Sequence, residues 1–293
     1  MKAHDLAPRD IGRILDDALS LYGANWRSIL KLAGAVVFPV ALVYTVATVF
    51  VARAAAEVTT TLAASVTSGS TPTAFASLSA AYALAGVGGT LYLVGQLLFT
   101  GSLYAQGDKL LRGEPFGVKT ALTGGLPRLV MLVLTAILVS MASGAAALVS
   151  LLALGLGGLA VAVLLYLAIP PVVVEQLDAI GAIRRSWHLV RPQFRRTLLM
   201  MLAATIIAAQ MEYALISPSA IRQVVMLATS PDSLKQTFSL GWTVFDGLMQ
   251  GAAITLVLPF TELVVFLYYL DLRSRNEGMD LLIRARDLAP GPR

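Results

Sequence analysis

The chain has 293 residues, of which 57% are hydrophobic and only 13% are charged, against about 25% charged in an ordinary soluble protein. The charges cluster: residues 129–174, a run of 46, contain no Asp, Glu, Lys or Arg, and neither does 32–52. Such a chain cannot clothe a soluble globule, which excludes a soluble enzyme, a nucleic-acid-binding domain and a disordered polypeptide, and leaves an all-α integral membrane protein.

The segment before the first apolar run is amphipathic. Ile11, Ile14, Leu15, Ala18, Leu19 and Tyr22 fall on one helical face, opposite Arg9, Asp10, Arg13, Asp16 and Asp17. With Asp5 and these acids ahead of it, the N-terminus does not read as a signal peptide. A bilayer core of about 30 Å needs about 20 helical residues. The first predicted span is 32–52, the second 82–105. Between them 59–79, rich in Ala, Ser and Thr, is too polar to cross. Residues 129–174 would be roughly 69 Å long as one helix at about 1.5 Å per residue, so they predict a hairpin of spans 129–149 and 153–174. Its turn is expected within 143–158, which holds Ser143-Gly144 and the Gly155–Gly158 cluster. The fifth and sixth spans are 197–216 and 244–270. The whole chain reads as one transmembrane domain.

Basic residues orient it. With both termini in the cytoplasm, 19 of the 22 fall on inner segments, and only Arg53, Arg222 and Lys235 fall outside. This is the asymmetry expected when Lys and Arg are retained on the cytoplasmic side, and it explains the net charge of +5 without nucleic acid. Seventeen Arg against five Lys in an Ala-, Leu- and Gly-rich chain suggests a high-GC bacterial source and a location in the bacterial inner membrane.

A second amphipathic segment precedes span five. Ile180, Ile183, Trp187 and Val190 share its predicted apolar face, away from Arg184, Arg185 and Arg191. It aligns loosely with the first: Ile11-Gly12 with Ile180-Gly181, and Asn25-Trp26-Arg27 with Gln193-Phe194-Arg195. A fainter version occupies 116–128. Three copies of one unit, an interfacial helix followed by a two-span hairpin, are one expectation; chance similarity of biased sequence is the other. Trp26, Trp187 and Phe194 are candidate interface anchors. Arg184, Arg185, Arg191, Arg195 and Arg196 are candidate contacts for anionic lipid head groups.

Intramembrane polar residues are the remaining candidates. Glu262 lies about 12 Å from the inner end of span six and follows Pro259. A carboxylate there costs about 2.5–3.5 kcal/mol on insertion scales, so it must be protonated, paired or wet. A neutral Glu262 hydrogen-bonded to Gln or Ser is the plain reading, a proton or cation relay the sharper one. Glu212, Asp246 and Gln250 form a second polar set. Pro39, Pro170-Pro171 and Pro259 are expected to kink their spans, and Gly247 and Gly251 have the spacing of a close helix contact.

Catalytic motifs are missing. There is no cysteine, and the two histidines, His4 and His188, lie far apart. No HExxH, GxSxG, phosphate-binding or dinucleotide-binding pattern occurs. No enzymatic activity, metal or cofactor is expected. Two functions fit: a scaffold or accessory protein acting on lipid or a protein partner through its interfacial helices, and a small-solute or ion transporter with a polar cavity around Glu262. The sequence leaves oligomeric state open.

Three landmarks point to a family. They are Ile11-Gly12-Arg13-Ile14-Leu15-Asp16 with Leu21-Tyr22 and Asn25-Trp26; Ala182-Ile183-Arg184-Arg185-Ser186-Trp187-His188-Leu189-Val190; and Tyr268-Tyr269-Leu270-Asp271-Leu272-Arg273 followed by Glu277-Gly278. Together they resemble the membrane domain fused to some glycerophosphoryl diester phosphodiesterases, which also occurs alone in actinobacterial proteins. The resemblance implies a multi-pass helical fold. The phosphodiesterase reaction belongs to a separate soluble barrel, so it implies no catalytic residue here. The sequence departs at Gly23-Ala24, where the family carries basic residues, which weakens a head-group role for the first helix.

Overall fold

A computed structural model describes residues 9–68, 75–151, 156–229 and 240–277. Every regular element among them is helical: α1 (Ile11–Ser68), α2 (Phe75–Ala105), α3 (Gly107–Leu111), α4 (Val118–Gly125), α5 (Leu129–Val149), α6 (Leu156–Leu164), α7 (Ile169–Val174), α8 (Ala179–Val190), α9 (Phe194–Thr229) and α10 (Leu240–Glu277). Single 3-10 turns, Leu126–Arg128 and Arg191–Gln193, lead into α5 and α9. Six stretches are long and apolar enough to cross a membrane, so the chain is a multi-pass helical membrane protein. A lipid core offers the backbone no partners, and the helix satisfies its own amides.

The helices overrun the predicted spans. The N-terminal amphipathic segment is not a separate helix: α1 runs unbroken for 58 residues from Ile11. Its apolar stripe meets protein, since Ile14 and Ala18 are fully buried. At the other end, no Gly or Pro stands in 53–68 to stop α1; the first come at Gly69 and Pro72, outside the described residues. Helices α1, α9 and α10 continue through Pro39, Pro218 and Pro259. Pro170 and Pro171 act differently. They occupy the first turn of α7, where a missing N–H costs nothing, so span four is broken between Leu164 and Ile169 rather than kinked.

The chain divides into two compact units. One comprises 1–32, 97–208 and 258–293, the other 33–96 and 209–257. The first holds a core of Leu97, Leu132, Val172 and Ala182, joined by Leu129, Val133 and Ile169. Here α2 and α4 approach closely: a Cβ on Gly125 would fall 2.5 Å from the backbone nitrogen of Ser102 and 2.7 Å from its Cα. The predicted hairpin forms from α5 and α6. Ser150 closes it, donating to the Ala146 carbonyl at 2.7 Å and accepting from Gly157 N at 2.9 Å. Gly155, at the expected turn, lies outside the described residues.

In the second unit α1 packs against α2 and α10. A Cβ on Gly88 would lie 3.3 Å from the Tyr44 Cα, and one on Gly251 would lie 3.6 Å from the Leu42 Cα. The Gly247/Gly251 spacing therefore serves a contact within the chain, where Thr45 Oγ1 also reaches the Gly247 carbonyl at 3.1 Å.

Candidate functional site

The five arginines grouped by sequence separate by role. Arg185 is consumed by carboxylates. Its Nε and Nη2 donate to Glu175 Oε1 at 3.0 and 2.9 Å, and it also pairs with Glu277. Tyr269 donates to the same Glu175 oxygen, and Arg273 lies 3.4 Å from it. Burial raises the pKa of Glu175, but the hydrogen bonds from Tyr269 and Arg185 and the charges of Arg185 and Arg273 outweigh burial, and the carboxyl sits below its ordinary value. Arg196 is consumed as well. It donates to Asp271 Oδ2 at 2.9 Å and to the Arg9 carbonyl. Asp271, with its side chain 1% exposed, also accepts from Arg275 at 2.9 Å and from Arg9 N at 2.7 Å. Arg184, Arg191 and Arg195 are exposed.

Helix α8 orients this division. Asp178 caps it, accepting from Gly181 N at 3.2 Å. Its buried face is Ala182, Ser186, Leu189 and Val190, rotated from the predicted Ile180–Ile183–Trp187–Val190 stripe. Ile180 is 56% exposed and Trp187 40%. The open face thus reads Ile180, Arg184, Trp187, Arg191, spaced four, three and four residues apart, which keeps them on one side of a helix. Trp26 is also exposed, with Arg27 5.4 Å from its ring centre, while Phe194 is half-buried.

Ser186 is a residue the sequence reading passed over. It is fully buried and stands at the break in span four, donating to the Leu164 carbonyl at 2.8 Å and accepting from Leu167 N at 3.2 Å. Asn25 and Asn276 act similarly: Asn25 Nδ2 reaches the Leu110 carbonyl at 3.5 Å, and Asn276 Nδ2 donates to the Leu189 carbonyl at 3.0 Å. All three lie in or beside the landmark motifs, which converge in the first unit as structural joints.

Glu262 is engaged. The Tyr104 hydroxyl donates to its Oε2 at 2.6 Å, and the Tyr104 ring stacks on Phe266 with centres 5.4 Å apart. The partner is a tyrosine, where Gln or Ser was expected.

The second polar set does assemble. Gln250 Nε2 donates to Glu212 Oε1 at 2.5 Å, and Asp246 accepts from Ser219 and pairs with Arg222. Arg222, expected in an outer loop, is instead carried on α9, and its guanidinium lies 4.5 Å from the Trp242 ring centre. Asp246 and Gln250, not Glu262, line a cavity of about 460 Å³. A cavity of about 330 Å³ in the other unit is mostly apolar, lined by residues such as Leu97, Ala136 and Met201. Among the described residues no group of three or more His, Asp or Glu is placed to hold a metal ion. No protein-family model matches the chain, and neither a curated protein nor a solved structure matches it significantly.

Proposed function

We propose that the chain is a non-enzymatic scaffold or accessory protein of the bacterial inner membrane, with both termini in the cytoplasm, that holds anionic phospholipid through α8 and the start of α9. The observation that carries this reading is the partition of the arginines. Arg185 and Arg196 are spent on carboxylates, while Arg184, Arg191 and Arg195 stand exposed beside the exposed Ile180 and Trp187. A bilayer interface rewards that mixture: apolar and aromatic groups enter the acyl boundary while guanidinium groups meet phosphate. Each basic residue near an anionic surface contributes about 1 kcal/mol.

The positive-inside asymmetry supports the orientation. The three landmark motifs support kinship with the glycerophosphoryl diester phosphodiesterase membrane domain. In this reading the amphipathic segments at 11–22, 116–128 and 179–190 head three related units, and the third has kept the lipid-facing role.

The test is lipid retention. The full chain is reconstituted in mixed phosphatidylglycerol and phosphatidylcholine, extracted gently, and its bound lipids are counted by native mass spectrometry. Replacing Arg184, Arg191 and Arg195 together by Gln should remove the preference for phosphatidylglycerol, while replacing them by Lys should keep most of it. Undiminished retention in the Gln variant would retire the proposal.

A further inference from the structure

The apolar hollow in the unit formed by 1–32, 97–208 and 258–293 lies at the depth of lipid tails, and we propose that it seats one acyl chain of a phospholipid. Its lining residues fall in four of the six apolar stretches. Leu97 lies eight residues before the end of α2, and Ala136 and Met201 lie seven residues past the starts of α5 and α9. At about 1.5 Å per residue the hollow is about 10–12 Å from each of those helix ends, within one leaflet of a hydrocarbon core about 30 Å thick.

Small side chains and the break in span four shape it. Ala136 and Ser140 on α5 and Ala162 on α6 form one part of the wall, and Leu165, Tyr166 and Ala168, between α6 and α7, form another. The hollow is more than a dimple of the outer surface. It reaches Leu97, which belongs to the core of the unit, and the buried Leu165 and Ala168.

Depth and polarity select the occupant. Among the described residues no charged side chain lines the hollow, and Ser140 and Tyr166 bring its only side-chain hydroxyls. An apolar hollow does not hold water, and an empty one forfeits the dispersion contacts of its lining. Hydrocarbon is the medium present at this depth. The volume of about 330 Å³ is about eleven times the share of one water in the liquid, room for a run of methylene groups. Lipid tails are as apolar as the wall, so preference for the hollow comes from packing: a chain there is touched on several sides, and a chain on an outer helix face on one. Arg128 immediately precedes α5, and Arg195 stands in the first turn of α9. Both helices line the hollow, which places basic groups at the head-group end of a seated chain. The chain seat deepens the lipid-holding reading and rests on it for the head group alone.

The experiment places the full chain in phosphatidylcholine nanodiscs with a rising fraction of phosphatidylglycerol that carries a diazirine at mid-chain. After photolysis, peptide mapping counts the label at Tyr166 and Met201 and, for reference, at Leu138 and Leu202, which are exposed on α5 and α9. Label at Tyr166 and Met201 should saturate at a low probe fraction, while label at Leu138 and Leu202 rises in proportion to the probe. Ala136→Phe and Ser140→Phe fill the hollow and should cut its label at least fivefold without changing the label on the outer faces. Ser140 is exposed, so its Phe variant spares the fold if Ala136→Phe does not. A phosphatidylcholine probe with the same chain separates the two proposals. Equal saturation by both probes leaves the chain seat standing and counts against the head-group reading; proportional labelling of the hollow in a protein that still prefers phosphatidylglycerol does the reverse. The proposal is overturned if label in the hollow rises in step with the outer faces, if Tyr166 and Met201 stay unlabelled, as when side chains of a second copy fill the hollow, or if both folded Phe variants are labelled as the wild type is.

Discussion

Ser186 shows how much one hydroxyl decides. Span four leaves the α-helix between Leu164 and Ile169, just before Pro170 and Pro171, which in a continuous helix would leave the Tyr166 and Leu167 carbonyls without their donors. The break frees the Leu164 carbonyl and the Leu167 amide inside the protein, and Ser186 serves both. A Ser186→Ala substitution should therefore cost about 1–3 kcal/mol, the desolvation penalty of a buried polar group left unmade. Thermal unfolding in nanodiscs measures it; a cost below a few tenths of a kcal/mol would mean that the break needs no such support. Glu175 carries a pH dependence. Its carboxyl is held below the ordinary 4.5, so it contributes stability that is present above that value and is lost as pH falls through the lower, folded-state value. The wild type should lose melting temperature across that window more steeply than Glu175→Gln does. Equal slopes in the two proteins would show that the ion network around Arg185 is not felt by the fold. Neither residue's partners were visible beforehand, since Tyr269 lies 94 positions from Glu175.

At the scale of the element, α8 was legible as an amphipathic helix and illegible in its rotation. Both Ile180–Ile183–Trp187–Val190 and Ala182–Ser186–Leu189–Val190 are valid helical stripes, and hydrophobicity favours the first. The structure buries the second because small side chains at Ala182 and Ser186 let α8 come close to the broken span, and because Arg185, one residue on from Arg184, turns toward Glu175. Close approach also governs α4. Gly125 faces the Ser102 backbone with no room for a methyl group, and backbone cannot move aside as a flexible side chain can. Gly125→Ala should destabilise by about 1–3 kcal/mol, the usual cost of overpacking, while Gly12→Ala on α1, where an added Cβ meets nothing within 4 Å, should be neutral or better. Parallel unfolding curves of the two variants check this, and equal curves would count against the α2–α4 contact.

For the whole molecule, the division of charge is the strongest sequence signal, and it makes the topology testable. A phosphatase or fluorescent reporter fused after Arg293 should report a cytoplasmic position, and one inserted in 230–239 an extracytoplasmic one; the reverse pair of signals would sink the orientation. The sequence by itself determined that the chain is helical, membrane-embedded and six times apolar over a bilayer's length, because those properties follow from local composition and from the need of every backbone amide for a partner in lipid. It could not determine which arginines are spent and which are open, that Tyr104 holds Glu262, or that Arg222 leaves its expected loop to meet Asp246. Those pairings join residues 10 to 158 positions apart, and only tertiary packing decides which acid a cation meets. The deficit of charge that marks the chain as a membrane protein also makes each remaining charge depend on where the helices bring it.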